Sequence, residues 1–198
     1  MSKQYFDNDV KLEDDPHTLT YYGETELTFK TNSGMFSKDK LDYYSIVLIE
    51  NVLEDGPSTV DSYLDLGCGY GFIGISLASK YPQARKVFID ITQRAVDYTK
   101  TNIDLNHIEN TEVILSDGIK VEETFDLITL NPPIHAGKQV MYQLYDDAYN
   151  HLNENGEFYI VLHKKHGALS TIKDLESKFK NIDIIYKKKG LYVLKLKK

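Results

Sequence analysis

Cysteine is almost missing from this chain: Cys68 is the only one in 198 residues. A single thiol rules out a disulfide framework and a cysteine-rich metal site, and it suits a reducing cytosol, so a cytoplasmic protein without a bound metal is expected. Long apolar runs are missing too. No segment approaches the roughly 18 apolar residues that a membrane-spanning helix needs, so no membrane association is expected. The opening stretch MSKQYFDNDVKLEDD lacks an apolar core, and no secretory leader is expected. An excess of positive charge is also lacking. With 23 Lys and Arg against 30 Asp and Glu, the formal charge is −7, so net charge by itself does not signal a nucleic-acid partner. Internal repeats and low-complexity stretches are not found. Proline is scarce, five residues in all, yet two of the five are adjacent, Pro132 and Pro133.

The rest is an ordinary globular composition, 41% apolar and 27% charged, and the length fits one domain with one core. The charge is unevenly spread. Residues 151–198 hold 11 lysines against five acids, while the first 150 residues hold 12 Lys and Arg against 25 acids. The C-terminal lysines are read as a solvated rim and tail, with a basic face as the other possibility.

Apolar spacing divides the chain into elements. LTYYGETELTFKT at 19–31 alternates around Gly23-Glu24 like a hairpin. DKLDYYSIVLIENVLE at 39–54 has helical spacing and ends before Gly56-Pro57. An alternating series follows: strand 62–66, helix 72–80, strand 86–90, helix 92–106 with Thr92 as N-cap, strand 111–115 and strand 125–130. Then come a helix over 138–153 closed by Asn155-Gly156, strand 157–162, helix 168–179, and strands near 182–186 and 191–196. The last two have no room for a helix between them and must pair antiparallel around Lys188-Lys189-Gly190. The expected fold is α/β: a seven-stranded, mainly parallel sheet with helices on both faces, its last strand antiparallel, and an N-terminal β-hairpin extension. Residues 1–198 are read as a single domain, with 1–35 as the extension and 36–198 as the core.

Ligands in such a sheet bind beyond the C-terminal ends of the strands. After the first parallel strand comes DLGCGYG at 65–71, and Gly74 follows, so four glycines fall within eight residues. Alternate glycines allow a tight turn with positive φ and close backbone approach to a ligand. Asp90 ends the second strand, 21 residues beyond Gly69, where a carboxylate can accept ribose hydroxyls. Ser116-Asp117-Gly118 and Asn131-Pro132-Pro133 end the next two strands. Gly69 to Gly74 is also a literal G-x-G-x-x-G, the dinucleotide-binding pattern. A carboxylate at Asp65 suits a cationic ligand better than a pyrophosphate. A dehydrogenase also has no use for Asn-Pro-Pro at the end of the fourth strand.

Together DLGCGYG, Asp90, SDG at 116–118 and NPPI at 131–134 resemble the class I S-adenosylmethionine-dependent methyltransferases, which have a Rossmann-like fold. The resemblance implies that Asp65 and the loop Gly67, Cys68, Gly69 and Gly71 hold the methionyl end of the cofactor. It also implies that Asp90 takes the ribose, that Asp117 meets the adenine amine, and that Ile91 and Gly118 flank the adenine. By the same resemblance Asn131, Pro132 and Pro133 grip a planar exocyclic amine, with the Asn131 side-chain oxygen and the Pro132 carbonyl as acceptors. GMFSKDKLD at 34–42, NPPIHAGK at 131–138, HKKHGA at 163–168 and KKKGLYVLKLKK at 187–198 are similar to the small-domain methyltransferases, among them the guanine-N2 methyltransferases of small-subunit ribosomal RNA. That implies a guanine amine in ribosomal RNA, or in the small subunit, as substrate.

Two positions depart from that pattern. Tyr44 stands where the family has glycine, and Ile134 where it has an aromatic residue. The second RNA-binding domain of some members is not expected here, so either the target is a different RNA site or recognition falls to the hairpin at 19–31 and the C-terminal lysines; tyrosines 21, 22, 43 and 44, expected near the mouth, are candidates for stacking on unpaired bases. Phe36, Ile134, His135 and Lys138 are candidate substrate contacts; core packing for Phe36, loop capping for His135 and plain exposure for Lys138 fit equally. Lys164, Lys165 and His166 line either an RNA entrance or a solvated loop. Cys68 is read as a small residue in a tight loop. Methylation of a protein glutamine amide, and a catalytically idle module that binds cofactor or RNA, are the alternatives.

Overall fold

The computed structural model describes residues 15–120 and 122–198; the stretch read for a leader lies, apart from its last residue, outside the described residues. A two-stranded antiparallel sheet, β1 (His17–Tyr22) and β2 (Glu26–Thr31), leads into α1 (Tyr43–Asp55). The alternating series is β3 (Ser62–Leu66), α2 (Phe72–Ser76), β4 (Arg85–Asp90), α3 (Gln93–Leu105), β5 (Thr111–Leu115) and β6 (Phe125–Leu130). It continues with α4 (Lys138–Asn150), β7 (Leu152–His163), α5 (Ala168–Leu175), β8 (Asn181–Lys188) and β9 (Leu191–Lys197). Seven strands form one sheet in the order β5-β4-β3-β6-β7-β9-β8. β3 to β7 are parallel, and β9 runs against both β7 and β8. This is the Rossmann-like arrangement expected.

The inner strands β3, β4, β6, β7 and β9 are buried on both faces, and their successive residues supply opposite cores. Along β7, Tyr159 and Val161 join the core under α1 and the hairpin, while Phe158, Ile160 and Leu162 join the core under α4 and α5. Tyr21, Leu27 and Phe29 of the hairpin belong to that first core. The edge of β2 is closed by side chains of α3. Asn102 accepts from the Lys30 N–H and donates to its carbonyl, and Asn106 does the same with Thr28. One turn apart on a helix, the two amides stand in for a neighbouring strand.

Several boundaries differ from expectation for local reasons. α2 stops at Ser76 and continues only as turns, and α5 stops at Leu175. β7 has 12 residues and begins at Leu152, so Asn155-Gly156 lies inside a strand instead of closing a helix. Any side chain at Gly156 would put its Cβ 2.9 Å from the Phe125 carbonyl, beside a register shift in the β6–β7 ladder. Its role there is close backbone approach at an irregularity, as glycine often serves within strands. The hairpin turn is also placed away from the ligand end. Glu24 reaches Ser79, on the connection that leads into the start of β4. Of the four tyrosines expected at the mouth, Tyr21 is in the core against Phe72, with ring centroids 5.3 Å apart, and Tyr22 is exposed beside the far turn. No helix among the described residues is long and apolar enough to cross a membrane. Among them no group of three or more His, Cys, Asp or Glu side chains could hold a metal ion.

Candidate active site

A cavity of about 530 Å³ opens at the C-terminal ends of β3, β4, β6 and β7, within the size range of small-molecule sites. The glycine loop forms its floor. Gly67, Gly69 and Gly71 have φ of 69°, 60° and 85°, conformations that side chains resist. Two carboxylates brace this loop from below. Asp90 accepts from the Gly69 N–H at 2.9 Å and from the N–H and hydroxyl of Thr92 at 2.9 and 3.0 Å, and Thr92 in turn caps α3. Burial raises the Asp90 pKa against these lowering hydrogen bonds. Asp65 accepts from the Gly74 N–H at 2.8 Å, with the Thr129 hydroxyl 3.4 Å away. It is completely buried, and desolvation lifts its carboxyl to about 7.

The cavity wall includes Gly67, Cys68, Gly69, Asp90, Ile91, Asp117 and Gly118, together with Phe36, Asn131, Pro132, Pro133, Ile134 and His135. Three sequence candidates are not on it. Asp65 is buried between Gly74 of α2 and Thr129 of β6. Gly71 turns the chain into α2, where a Cβ would meet Ile75 at 2.9 Å and Thr99 at 3.2 Å. Lys138 opens α4 at the surface. Asp117 is exposed and paired with Lys120 at 2.5 Å, which lowers its pKa. The Cys68 thiol is buried against Thr99 and is raised well above its usual value, first by desolvation and then by Asp90 and Asp65. A thiol held in its neutral form is no nucleophile.

Pro133 explains the second proline. With φ −76° and ψ 75° it is the centre of an inverse γ-turn, closed by the Ile134 N–H donating to the Pro132 carbonyl at 2.8 Å. The ring presets φ, so this turn costs little to hold. One lone pair of the Pro132 oxygen is used, and the other is left for a ligand.

Asn131 is oriented with equal strictness. Its Nδ2 donates to Asp42 Oδ2 and to Ser45 Oγ, each at 2.9 Å. The Asp42 oxygen already accepts from the Ser45 N–H, so the amide nitrogen must face it and the Asn131 oxygen must face away. Asn131 Oδ1 meets no donor among the described residues. The same Asp42 oxygen accepts from the Ser45 N–H and hydroxyl and caps α1. Asp42 and Ser45 also line the cavity.

Sequence reasoning missed Asp42 and gave His163 no role. Tyr44 lies parallel to the His163 ring, with centroids 5.7 Å apart and 6° between planes, and His166 is the next ring at 5.6 Å. The residue that stands in place of glycine thus forms, with His163 and His166, an aromatic wall of the cavity. His166 is held below its usual pKa by burial first, then by His163, His135 and Lys165. Two hydroxyls of the lining residues Tyr70 and Ser116 are buried without a partner. An unmet hydroxyl costs about 1–3 kcal/mol, so such atoms beside a cavity fit a polar ligand.

Comparison with known proteins accords with this geometry. The chain is 37% identical over its whole length, and the whole length of the relative, to the uncharacterized protein YbxB of Bacillus subtilis. It is 37% identical over 149 residues to ribosomal RNA small subunit methyltransferase C of Citrobacter koseri. That match takes in 71% of this chain and 42% of the relative, so the chain spans about two fifths of the methyltransferase. Among solved structures, the 16S rRNA N2 G1207 methyltransferase of T. thermophilus, in complex with AdoMet and guanosine, superposes with a TM-score of 0.81 at 27% identity. It covers 92% of this chain and 50% of that one. Residues 26–195 match the family model described as the methyltransferase small domain, and the chain belongs to that family.

Proposed function

We propose that the protein uses S-adenosylmethionine to methylate an exocyclic amine, the guanine N2 of small-subunit ribosomal RNA. The observation that carries this reading is the fixed Asn131 amide, whose oxygen meets no donor among the described residues, on a residue that lines the same cavity as the glycine loop and Asp90. The named activities of the Citrobacter and T. thermophilus proteins support the same substrate class.

The cavity suits the cofactor: positive-φ glycines permit close approach, Asp90 reaches the wall, and the hydroxyls of Tyr70 and Ser116 lack partners. When bound, S-adenosylmethionine supplies a methyl group already activated on a sulfonium, so no strong protein base is required. The task left to the chain is orientation. An aromatic amine is planar and a poor nucleophile. Asn131 Oδ1 and the spare lone pair of the Pro132 carbonyl accept its two hydrogens and aim the nitrogen lone pair at the donor. Both acceptors are fixed beforehand, by Asp42 with Ser45 and by the Pro133 turn, so they need no rearrangement as charge develops. With the nitrogen so held, the bound cofactor would supply the methyl group, and no residue of the chain is needed to take up the amine proton, which would pass to solvent.

The test is incubation with methyl-labelled cofactor and, separately, small ribosomal subunits, protein-free small-subunit rRNA and peptide-release factors. Label recovered as N2-methylguanosine is expected. Label in a release-factor glutamine, or cofactor binding with no transfer to any of the three, would overturn the reading.

A further inference from the structure

The lysine-rich C-terminal segment falls into two groups with different surroundings. At the end of the sheet away from the cavity, Lys195 pairs with Asp55 at 2.5 Å and Lys197 with Glu157 at 2.6 Å. At the cavity end the lysines form no ion pair among the described residues. Since β9 runs against β7, the β8–β9 turn lies beside the C-terminus of β7, with His163 opposite Leu191. The Lys164 N–H donates to the Gly190 carbonyl at 2.7 Å, and a Cβ on Gly190 would lie 3.2 Å from His163. This contact joins Lys164-Lys165 to Lys188-Lys189, though more than 20 residues separate the two pairs. All four are exposed, and none takes part in an ion pair among the described residues. His163 and His166, between them and the cavity, form its wall.

A second observation concerns Lys189 itself. It precedes Gly190 in a two-residue hairpin turn, with φ of 51° and 84° at the two positions. Asn or Gly is usual at the first position of such a turn. A lysine held at positive φ is strained by about 1–3 kcal/mol, and strain of this kind clusters at functional sites.

We propose that Lys164, Lys165, Lys188 and Lys189 form a phosphate-binding rim that holds the RNA strand flanking the nucleotide in the cavity. This rests on the guanine-N2 reading. A base placed in the cavity leaves its neighbouring phosphates at the mouth, and four exposed cations stand together on this side of it, on a chain whose overall charge is −7. Lysine contributes a point charge without base selectivity, which suits a positioning contact. Repulsion from distant acids is screened beyond about 8–10 Å at physiological salt.

The test compares the parent with Lys165→Gln/Lys188→Gln/Lys189→Asn and with an equal-charge control, Lys100→Gln/Lys173→Gln/Lys180→Gln. The probes are a single-stranded oligoribonucleotide and protein-free small-subunit rRNA. Three lost phosphate contacts weaken single-strand binding roughly 100-fold near 0.1 M salt and flatten the salt slope by about 2. The KM for rRNA should rise in step, with kcat and the calorimetric affinity for S-adenosylmethionine unchanged and the control like the parent. Lys189→Asn alone keeps the turn with a residue better suited to it, so its loss of RNA affinity cannot come from misfolding. If the parent methylates rRNA and the rim variant matches it in affinity, salt slope and KM, the rim is overturned alone. If the control weakens binding as much as the rim variant, the rim is likewise overturned. If the parent methylates a protein and not RNA, the rim falls together with the substrate reading.

Discussion

Asp42 and Asn131 are 89 residues apart in the chain and 2.9 Å apart in space, joined by a hydrogen bond from the Asn131 amide to the carboxylate that caps α1. One oxygen thus ends a helix and sets the direction of the side chain proposed to grip the substrate. Asn131 alone follows a strand and has rotational freedom about its last torsion. Asp42 and Ser45 together remove it.

This coupling predicts a strongly non-additive pair. Asn131→Ala should lower kcat about 10²–10³-fold, the range found when one preorganised polar group is removed. Asp42→Ala should lower kcat about 10²-fold by misplacing the amide. It should also cost about 1 kcal/mol of stability through the lost cap, or about 3 °C in Tm for a chain of this size. In the Asn131→Ala background the Asp42 substitution should leave kcat nearly unchanged. Additive losses in kcat would show that Asp42 acts by some route other than Asn131.

The glycines that follow β3, in the loop and in α2, separate into two kinds. A Cβ on Gly74 would lie 2.4 Å from the Phe88 ring and 3.0 Å from Asp65, inside the core. Gly74→Ala should therefore destabilise the fold by about 3 kcal/mol, as overpacking does. A Cβ on Gly69 meets nothing within 4 Å and carries only the strain of φ 60°, about 1–2 kcal/mol. Gly69 lines the cavity, so Gly69→Ala should weaken cofactor binding about 10-fold while the protein stays folded. Urea unfolding and calorimetric titration of both variants distinguish the two effects.

Local pattern carried most of the fold. Strands 62–66 and 125–130 are readable residue for residue because strands buried on both faces are short apolar runs bounded by turn residues, and the half-exposed edge strand 111–115 is readable from its β-branched residues between turn signals. The glycine loop and Asn-Pro-Pro were readable because their chemistry is contiguous. What was not readable depends on the register of distant elements. Gly156 resembles a helix stop until β6 is laid against β7. Asp42 resembles a plain N-cap until β6 ends beside it. The lysines at 164–165 and 188–189 resemble two solvated runs until β9 returns along β7. The tyrosines at 21 and 22 could be placed at the mouth only by guessing which end of the sheet the hairpin turn would reach.

Asp65 gives a pH signature. Its carboxyl titrates near 7 in the folded chain against 3.8 in the unfolded one, because burial disfavours the charge. The folded state therefore holds a proton that the unfolded state has already lost. This contribution to stability is fully present below about pH 4, declines as pH rises, and is gone above about pH 7. The decline is on the order of 4 kcal/mol, from about three pKa units at 1.36 kcal/mol each. Asp65→Asn keeps an acceptor for the Gly74 N–H and cannot ionise. The stability difference, variant minus parent, should grow across that window and level off above it. A difference that stays flat from pH 4 to pH 8 would mean that Asp65 is charged in the folded protein throughout.

Tyr44 tests whether the departure from glycine serves the substrate. Its ring lines the cavity in parallel contact with His163, and His163 abuts the lysine-bearing turn at Gly190. In the proposed mode a base brought in from the rim stacks on this wall. Stacking of a base on an aromatic ring contributes about 1–3 kcal/mol. Tyr44→Ala should therefore raise the KM for RNA roughly 10-fold, leave the affinity for S-adenosylmethionine within about twofold, and cost little in kcat once substrate saturates. Tyr44→Phe keeps the ring and should behave like the parent. If Tyr44→Ala weakened the cofactor and left the KM for RNA unchanged, the wall would belong to the cofactor half of the cavity, and the base would have to enter on the Ile134 side.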